Sequence, residues 1–223
     1  TNTPNDATHN NTNSVTSQKQ QNQAKTTDRV PRKDKVYHWL PPYGEDDIKI
    51  IYENDNLIEN LEYSEECEII FITETSGGQT QLSAVNLDEP EKKYTIYKYK
   101  KSEFYTNPGS LMTKTSEKNG ERVAFMSTDK RHIYLSGTQY YKDWQDKAPQ
   151  SFVDRIEITT GEKNRVFESS PGLHERISTV FDPDFRKVII SREAPTVIAD
   201  QYLKDMESGK EYQLTNNIDY MPD

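Results

Sequence analysis

Serine, histidine, cysteine and clustered carboxylates are the side chains that could do covalent, acid–base or metal chemistry in this chain, and their spacing decides whether they can. No Gly-x-Ser-x-Gly elbow occurs. The nearest Ser/Gly clusters, Thr75-Ser76-Gly77-Gly78 and Pro108-Gly109-Ser110, lie between apolar runs and read as turns, outside the strand–turn–helix setting that aims a serine at an oxyanion hole. Neither a P-loop nor a GxGxxG phosphate pattern is present. The four histidines, His9, His38, His132 and His174, are too scattered for a ligand pair at metal spacing. His174 sits in Gly172-Leu173-His174-Glu175-Arg176, which reads as a polar connection between repeats. The single cysteine, Cys67, can form neither an internal disulfide nor a CxxC motif, and with no His or Lys beside it in sequence it reads as structural. Glu45-Asp46-Asp47 and Asp182-Pro183-Asp184 invite a calcium reading, but neither continues with the ligand spacing of a calcium loop, so both are read as turn-formers. No catalytic, cofactor-binding or metal-ligating residue is assigned from these patterns, and no cofactor.

One segment suggests contact chemistry. Ser136-Gly137-Thr138-Gln139-Tyr140-Tyr141-Lys142-Asp143-Trp144 sets large aromatic side chains in a polar loop, and rigid aromatics lose little entropy on binding. Two readings stay open for it: a loop facing a substrate or neighbouring domain, or one whose aromatics pack back on their own sheet.

The elements that must position these residues are strands. The chain of 223 residues carries a net charge of −9 and a mean hydropathy of −1.00. Its first 35 residues hold six basic and three acidic side chains, so residues 36–223 carry −12. That acidic balance, with no basic stripe, argues against nucleic acid, and no run approaches the ~20 apolar residues of a membrane-spanning helix. Residues 1–33, rich in Asn, Thr, Gln and Ser, offer almost nothing to bury and are expected to be a disordered polar linker or tail. From Asp34 onward short alternating runs appear, among them Ile48–Tyr52, Ile69–Thr73, Tyr94–Tyr99, Ile133–Leu135, Phe152–Ile158 and Val188–Ser191, each bounded by Gly, Pro, Asn or Asp. The body is expected to be all-β.

The runs recur in order. Glu66, Asp129 and Asp184 are each followed at +4 to +6 by three apolar residues: Ile70-Phe71-Ile72, Ile133-Tyr134-Leu135 and Val188-Ile189-Ile190. Each is preceded by a run expected to form the neighbouring strand, carrying Leu61 and Tyr63, Val123 and Phe125, or Val180 and Phe181. A second hairpin follows, turning at Gly161 and at Gly209, with Ala84–Pro90 as a third copy that has Pro in place of Gly. Two hairpins in series make a four-stranded meander, and meanders repeated every ~50–60 residues suggest propeller blades, here approximately 34–101, 102–168 and 169–216. A β-sandwich has similar strand spacing and is the alternative. Three blades are too few to close a ring, so a partial β-propeller is expected.

Four strings resemble the propeller of the prolyl oligopeptidase family of serine peptidases, nearest its glutamyl-endopeptidase-like members. They are Val36-Tyr37-His38-Trp39-Leu40-Pro41-Pro42-Tyr43, Phe152-Val153-Asp154-Arg155-Ile156-Glu157-Ile158, Ile190-Ser191-Arg192-Glu193-Ala194-Pro195-Thr196 and Gln213-Leu214-Thr215-Asn216-Asn217-Ile218-Asp219-Tyr220. The resemblance covers residues 34–223. It implies a parent whose Ser-Asp-His triad lies in an α/β-hydrolase domain beginning about where this sequence stops, so no catalytic position is transferred. The implied role is to gate and position peptide substrates for that domain, and the implied setting is extracytoplasmic, periplasmic or exported. If the parent prefers glutamyl substrates, Arg176 and Arg192 are candidates to meet an acidic side chain, against a structural ion pair or a solvated surface. The alternatives are a protein-interaction propeller with no peptidase activity, and a self-contained β-sandwich.

Overall fold

A computed structural model describes residues 33–143 and 145–218; the expected polar tail lies outside the described residues. The first strands, β1 (Asp34–Trp39) and β2 (Ile48–Asn54), form an antiparallel hairpin. Then come β3 (Leu57–Tyr63), β4 (Ile69–Ser76), β5 (Gln79–Asn86) and β6 (Lys93–Lys100), a four-stranded meander in sequence order. The middle sheet joins β7 (Ser110–Leu111), β10 (His132–Gln139), β11 (Gln150–Glu157) and β12 (Lys163–Glu168), and the small hairpin of β8 (Thr113–Thr115) and β9 (Arg122–Ala124) is inserted before β10. The last sheet is β13 (His174–Val180), β14 (Lys187–Ala194), β15 (Val197–Asp205) and β16 (Glu211–Gln213). Three successive four-stranded antiparallel meanders make a partial β-propeller of three blades.

The sheets stack through alternating faces of each blade's second strand. Ile70 and Ile72 pack with Val36, Ile51 and Tyr52 of the first hairpin, while Phe71 between them points the other way. Phe71, Leu82, Ala84 and Ile96 meet Ile133, Leu135, Ile156 and Ile158 of the middle blade. Tyr134, on the far side of that strand, joins Val153 and Phe167 against Phe185, Val188 and Ile190 of the third blade. The period of two in a strand lets one apolar triplet serve two interfaces at once.

The acidic turns expected before these triplets share one backbone design. The residue after each acid, Cys67, Lys130 and Phe185, is left-handed, with φ of 53°, 57° and 59°. In each turn its N–H donates to the carbonyl three residues back, on Ser64, Ser127 and Asp182. The side chains of those same three residues accept backbone N–H groups at the turn's far end. Gly161 and Gly209 both have φ of 70°, as a tight hairpin requires of a residue without Cβ. In the third copy the side chain of Asn86 takes over, accepting from the N–H groups of Asp88 and Glu89.

One expected strand is placed differently. Val123 lies in β9, which pairs with β8, and Phe125 lies outside any strand. The partner of β10 is discontinuous instead: Leu111 of β7 opposes Leu135, and Met126 makes an isolated bridge to Ile133. Met112 joins the two pieces, its N–H donating to Tyr134 and its carbonyl accepting from Phe125. The chain leaves the sheet for the β8–β9 hairpin and returns, a detour that apolar spacing does not register. In the third blade β13 ends at Val180, and Phe181 is exposed.

Candidate functional site

Ser127, Asp129 and His132 come together at the turn before β10, but their geometry is that of a turn. The Ser127 hydroxyl donates to Asp129 Oδ1 at 2.5 Å, and both residues approach the same ring nitrogen, His132 Nδ1, at 3.4 and 3.3 Å. A Ser-His-Asp relay needs the imidazole between serine and carboxylate, one ring nitrogen facing each. Moreover, Arg155 Nη2 lies 3.0 Å from the same Nδ1, so serine, carboxylate and guanidinium all crowd one ring nitrogen. Asp129 is held below the usual carboxylate range by the Ser127 hydroxyl and the Arg131 N–H, and so cannot serve as a base near neutral pH. Among the described residues no three His, Cys, Asp or Glu side chains are grouped to hold a metal ion.

A cleft of about 700 Å³ opens where the loop ends of the second and third blades meet. Its walls are Ala148, Pro149, Pro171, Leu173, Ala194 and Pro195, with His174 and Glu193 at the polar side. Pockets of this size with a few polar groups are where ligands usually bind. Glu193 lies 3.8 Å from both His174 Nε2 and Arg176 Nη2, close enough for ion pairing but beyond hydrogen bonding. Beneath the cleft a chain of buried groups fixes the connection between the blades. Tyr141 donates to Gln150, Gln150 to the Ser169 carbonyl, and Ser169 to the Leu173 carbonyl. The Glu175 carboxylate, 1% exposed, accepts from the Ser170 N–H at 2.8 Å and from Arg192 Nε at 2.6 Å. Burial works to raise the Glu175 pKa, and the bonds from Ser170 and Arg192 outweigh it, leaving the group below its ordinary value.

The two arginine candidates therefore part. Arg192 is spent within the fold: it bridges Glu175 and Glu211 and lies 4.4 Å over the Tyr202 ring. Arg176 stays solvent-exposed beside Glu193. The aromatic loop also divides. Tyr141 packs back, under Lys147 and bonded to buried Gln150, whereas Tyr140 remains exposed with Phe104, their rings 5.6 Å apart. Trp144 lies outside the described residues. The acidic strings act as turn-formers: Asp47 accepts from the Gly44 N–H, and Asp182 from the N–H groups of Asp184, Arg186 and Lys187. Cys67 is exposed in its turn rather than buried, and His38 lies on β1.

Sequence reasoning missed Glu175 and Asp200, the two acids that lock this region. Asp200 accepts from the Thr215 hydroxyl at 2.7 Å, the Asn217 N–H at 3.0 Å and Gln213 Nε2 at 3.2 Å. A signal existed: Glu175 stands two residues before Ile177 on one strand, and so occupies an inward position where an acid needs partners.

No protein-family model matches the sequence, and no curated protein does. Solved structures similar to this chain include TolB from Acinetobacter baumannii (11% identity, TM-score 0.42), covering 82% of this chain and 37% of that one. Another belongs to a study of two prolyl endopeptidases (11% identity, TM-score 0.48), covering 85% of this chain and 27% of that one. A third is the β-propeller domain of the Trilobed protease from Pyrococcus furiosus (12% identity, TM-score 0.38), covering 72% of this chain and 43% of that one. The chain thus spans well under half the length of each. These likenesses concern the fold and not an activity.

Proposed function

We propose that this chain is the non-catalytic propeller part of a serine peptidase of the prolyl oligopeptidase type, and that it acts by admitting and positioning peptide substrates for a separate α/β-hydrolase domain. The observation that carries the reading is where the four resembling strings fall in the blade series. The first supplies most of β1 in the hairpin covering the first blade, and the second most of β11 at the heart of the middle blade. The third contains Arg192 and the cleft residues Glu193, Ala194 and Pro195. The described part of the fourth, 213–218, holds the residues clamped to Asp200. Each string thus sits where blades are built or joined. On this reading selectivity is an access effect, with short or unfolded peptides passing and folded proteins excluded. The cleft between the second and third blades is a place where an extended peptide could rest on the way.

The test is to extend the reading frame beyond Asp223 and to treat the complete product with a fluorophosphonate probe. A labelled serine in a Gly-x-Ser-x-Gly elbow, with peptide hydrolysis by the complete product and none by residues 1–223, is the expected result. A complete product with no such serine overturns it. The second reading, a protein-interaction propeller, is favoured by the exposed row Tyr37, Trp39, Ile48 and Ile50 on the first hairpin, and that outcome would leave it standing.

A further inference from the structure

Every contact between stacked sheets in this chain joins unlike faces. In the apolar triplet of each blade's second strand, the flanking residues point back to the preceding sheet and the middle one points forward. Ile70 and Ile72 meet the first hairpin, Ile133 and Leu135 the first blade, and Val188 and Ile190 the middle blade. Phe71 and Tyr134 point forward and are covered by the sheets that follow. Among the described residues the series leaves one face of each kind without a neighbour. The forward face of the third blade carries Ile189, Leu203 and Tyr212 in one cross-strand row, with Ile189 at the position that Phe71 and Tyr134 hold in the other blades. The back face of the hairpin carries Tyr37 beside Ile50 and Trp39 beside Ile48, all four 45–55% exposed. None of these seven residues joins an apolar cluster.

The two free faces are the two halves of the contact the chain already makes between its own sheets, and one copy carries both. None of the seven residues lines a cleft between blades, so the faces suit another sheet rather than a small molecule. Charge permits the match. Beside its apolar residues the hairpin face carries Lys35 and Glu53, 3.1 Å apart, and the blade face carries Lys187 opposite Asp205. Each face is therefore balanced locally, and the chain's net charge of −9 is not concentrated where two copies would meet. Three blades are too few to close a ring. Two copies joined at both ends supply two hairpins and six blades, eight layers in all, the upper end of the range for closed propellers. A head-to-tail contact that closes on the second copy leaves neither face uncovered, whereas one that does not close builds a filament.

We propose that the chain pairs head to tail with a second copy of itself, the third blade of each copy packing on the first hairpin of the other to close a ring. This goes beyond the peptidase reading and does not need it: a complete product without a hydrolase serine leaves it intact, and a monomeric chain leaves that reading intact. The experiment is sedimentation equilibrium of the full 223-residue chain, expected to reach twice the 25.9 kDa of one copy by about 100 μM. Ile50→Lys on the hairpin face and Leu203→Lys on the blade face should each raise the dimer dissociation constant about tenfold or more, since each puts a charge into both contacts of the pair. Mixing the two variants restores one contact free of substitutions, so a mixed dimer tighter than either variant alone is expected. Pairing of like faces gives another pattern: only one substitution weakens it, and mixing restores nothing. Tyr212→Lys, at the most exposed position of the same row, takes the place of Leu203→Lys if circular dichroism shows that variant unfolded. A chain that stays monomeric at about 100 μM, open polymers in place of a dimer, association weakened by only one of the two substitutions, or a mixture no tighter than its parts overturns the proposal.

Discussion

Arg192 illustrates how a charged residue in an informative string can be architectural. Its guanidinium is held by two carboxylates, one of them almost wholly buried, and by the Tyr202 ring. Removing it strands Glu175, and an uncompensated buried charge costs about 3–5 kcal/mol. Arg192→Ala should therefore lower the urea midpoint strongly, and Arg192→Lys should recover only part, because an ammonium cannot reproduce a planar fork spanning two acceptors. The same group fixes a pH dependence. Asp129, Glu175 and Asp182 all lie below their ordinary range in the folded chain. A depressed folded pKa means that the stabilisation is complete above the unfolded value, about 4, and is lost as pH falls through the folded values. Urea midpoints measured between about pH 3 and 6 should fall on the acid side, and Glu175→Gln should flatten that fall. An unchanged slope would show that Glu175 does not contribute.

At the scale of elements, the repeated acidic turn is the unit that starts each blade's second strand. Its left-handed residue is a non-glycine in all three copies, and for an L-residue that region costs about 1–2 kcal/mol. What offsets the cost differs among the copies. Phe185 is buried, its ring 4.4 Å from Tyr134, while Lys130 pairs with Glu68 across the first and middle blades. Cys67 is exposed. Cys67→Gly should therefore stabilise the chain by up to about 1 kcal/mol, whereas Phe185→Gly should destabilise it by about 3 kcal/mol or more as the aromatic contact is lost. Thermal melts of the two variants distinguish them by sign. Much of this design was legible: the apolar triplets, the turn acids and the glycines at 161 and 209 all lie at the positions that spacing indicated. The detour through β8 and β9 was not, because an inserted hairpin carries the same alternation as the strand it interrupts.

Across the whole molecule the blades are joined twice, by apolar clusters and by ion pairs along the acidic-turn side. Lys114, Lys118 and Lys130 reach back to Glu65, Glu66 and Glu68 of the first blade. These pairs are half-exposed and salt-screened, so molar salt should shift the unfolding midpoint far less than Phe71→Ala or Leu135→Ala. The stack ends in two uncovered sheet faces among the described residues. Tyr37, Trp39, Ile48 and Ile50 are exposed at one end, and Ile189, Leu203 and Tyr212 form a cross-strand row at the other, where Tyr212 is exposed. Exposed apolar sheet faces favour association. The isolated chain should therefore bind a hydrophobic dye and associate as concentration rises, and Ile50→Lys should reduce both, as light scattering would show.

The sequence by itself determined the strand order, the paired hairpins and the absence of a serine elbow, because these depend on local alternation and turn chemistry that short segments carry on their own. Only the tertiary structure decided which charges are spent in the fold, that Arg192 is locked while Arg176 is exposed, and that Ser127, Asp129 and His132 meet without forming a relay. Burial and pairing depend on residues brought together from distant strands, and no spacing along the chain reports which of them will meet.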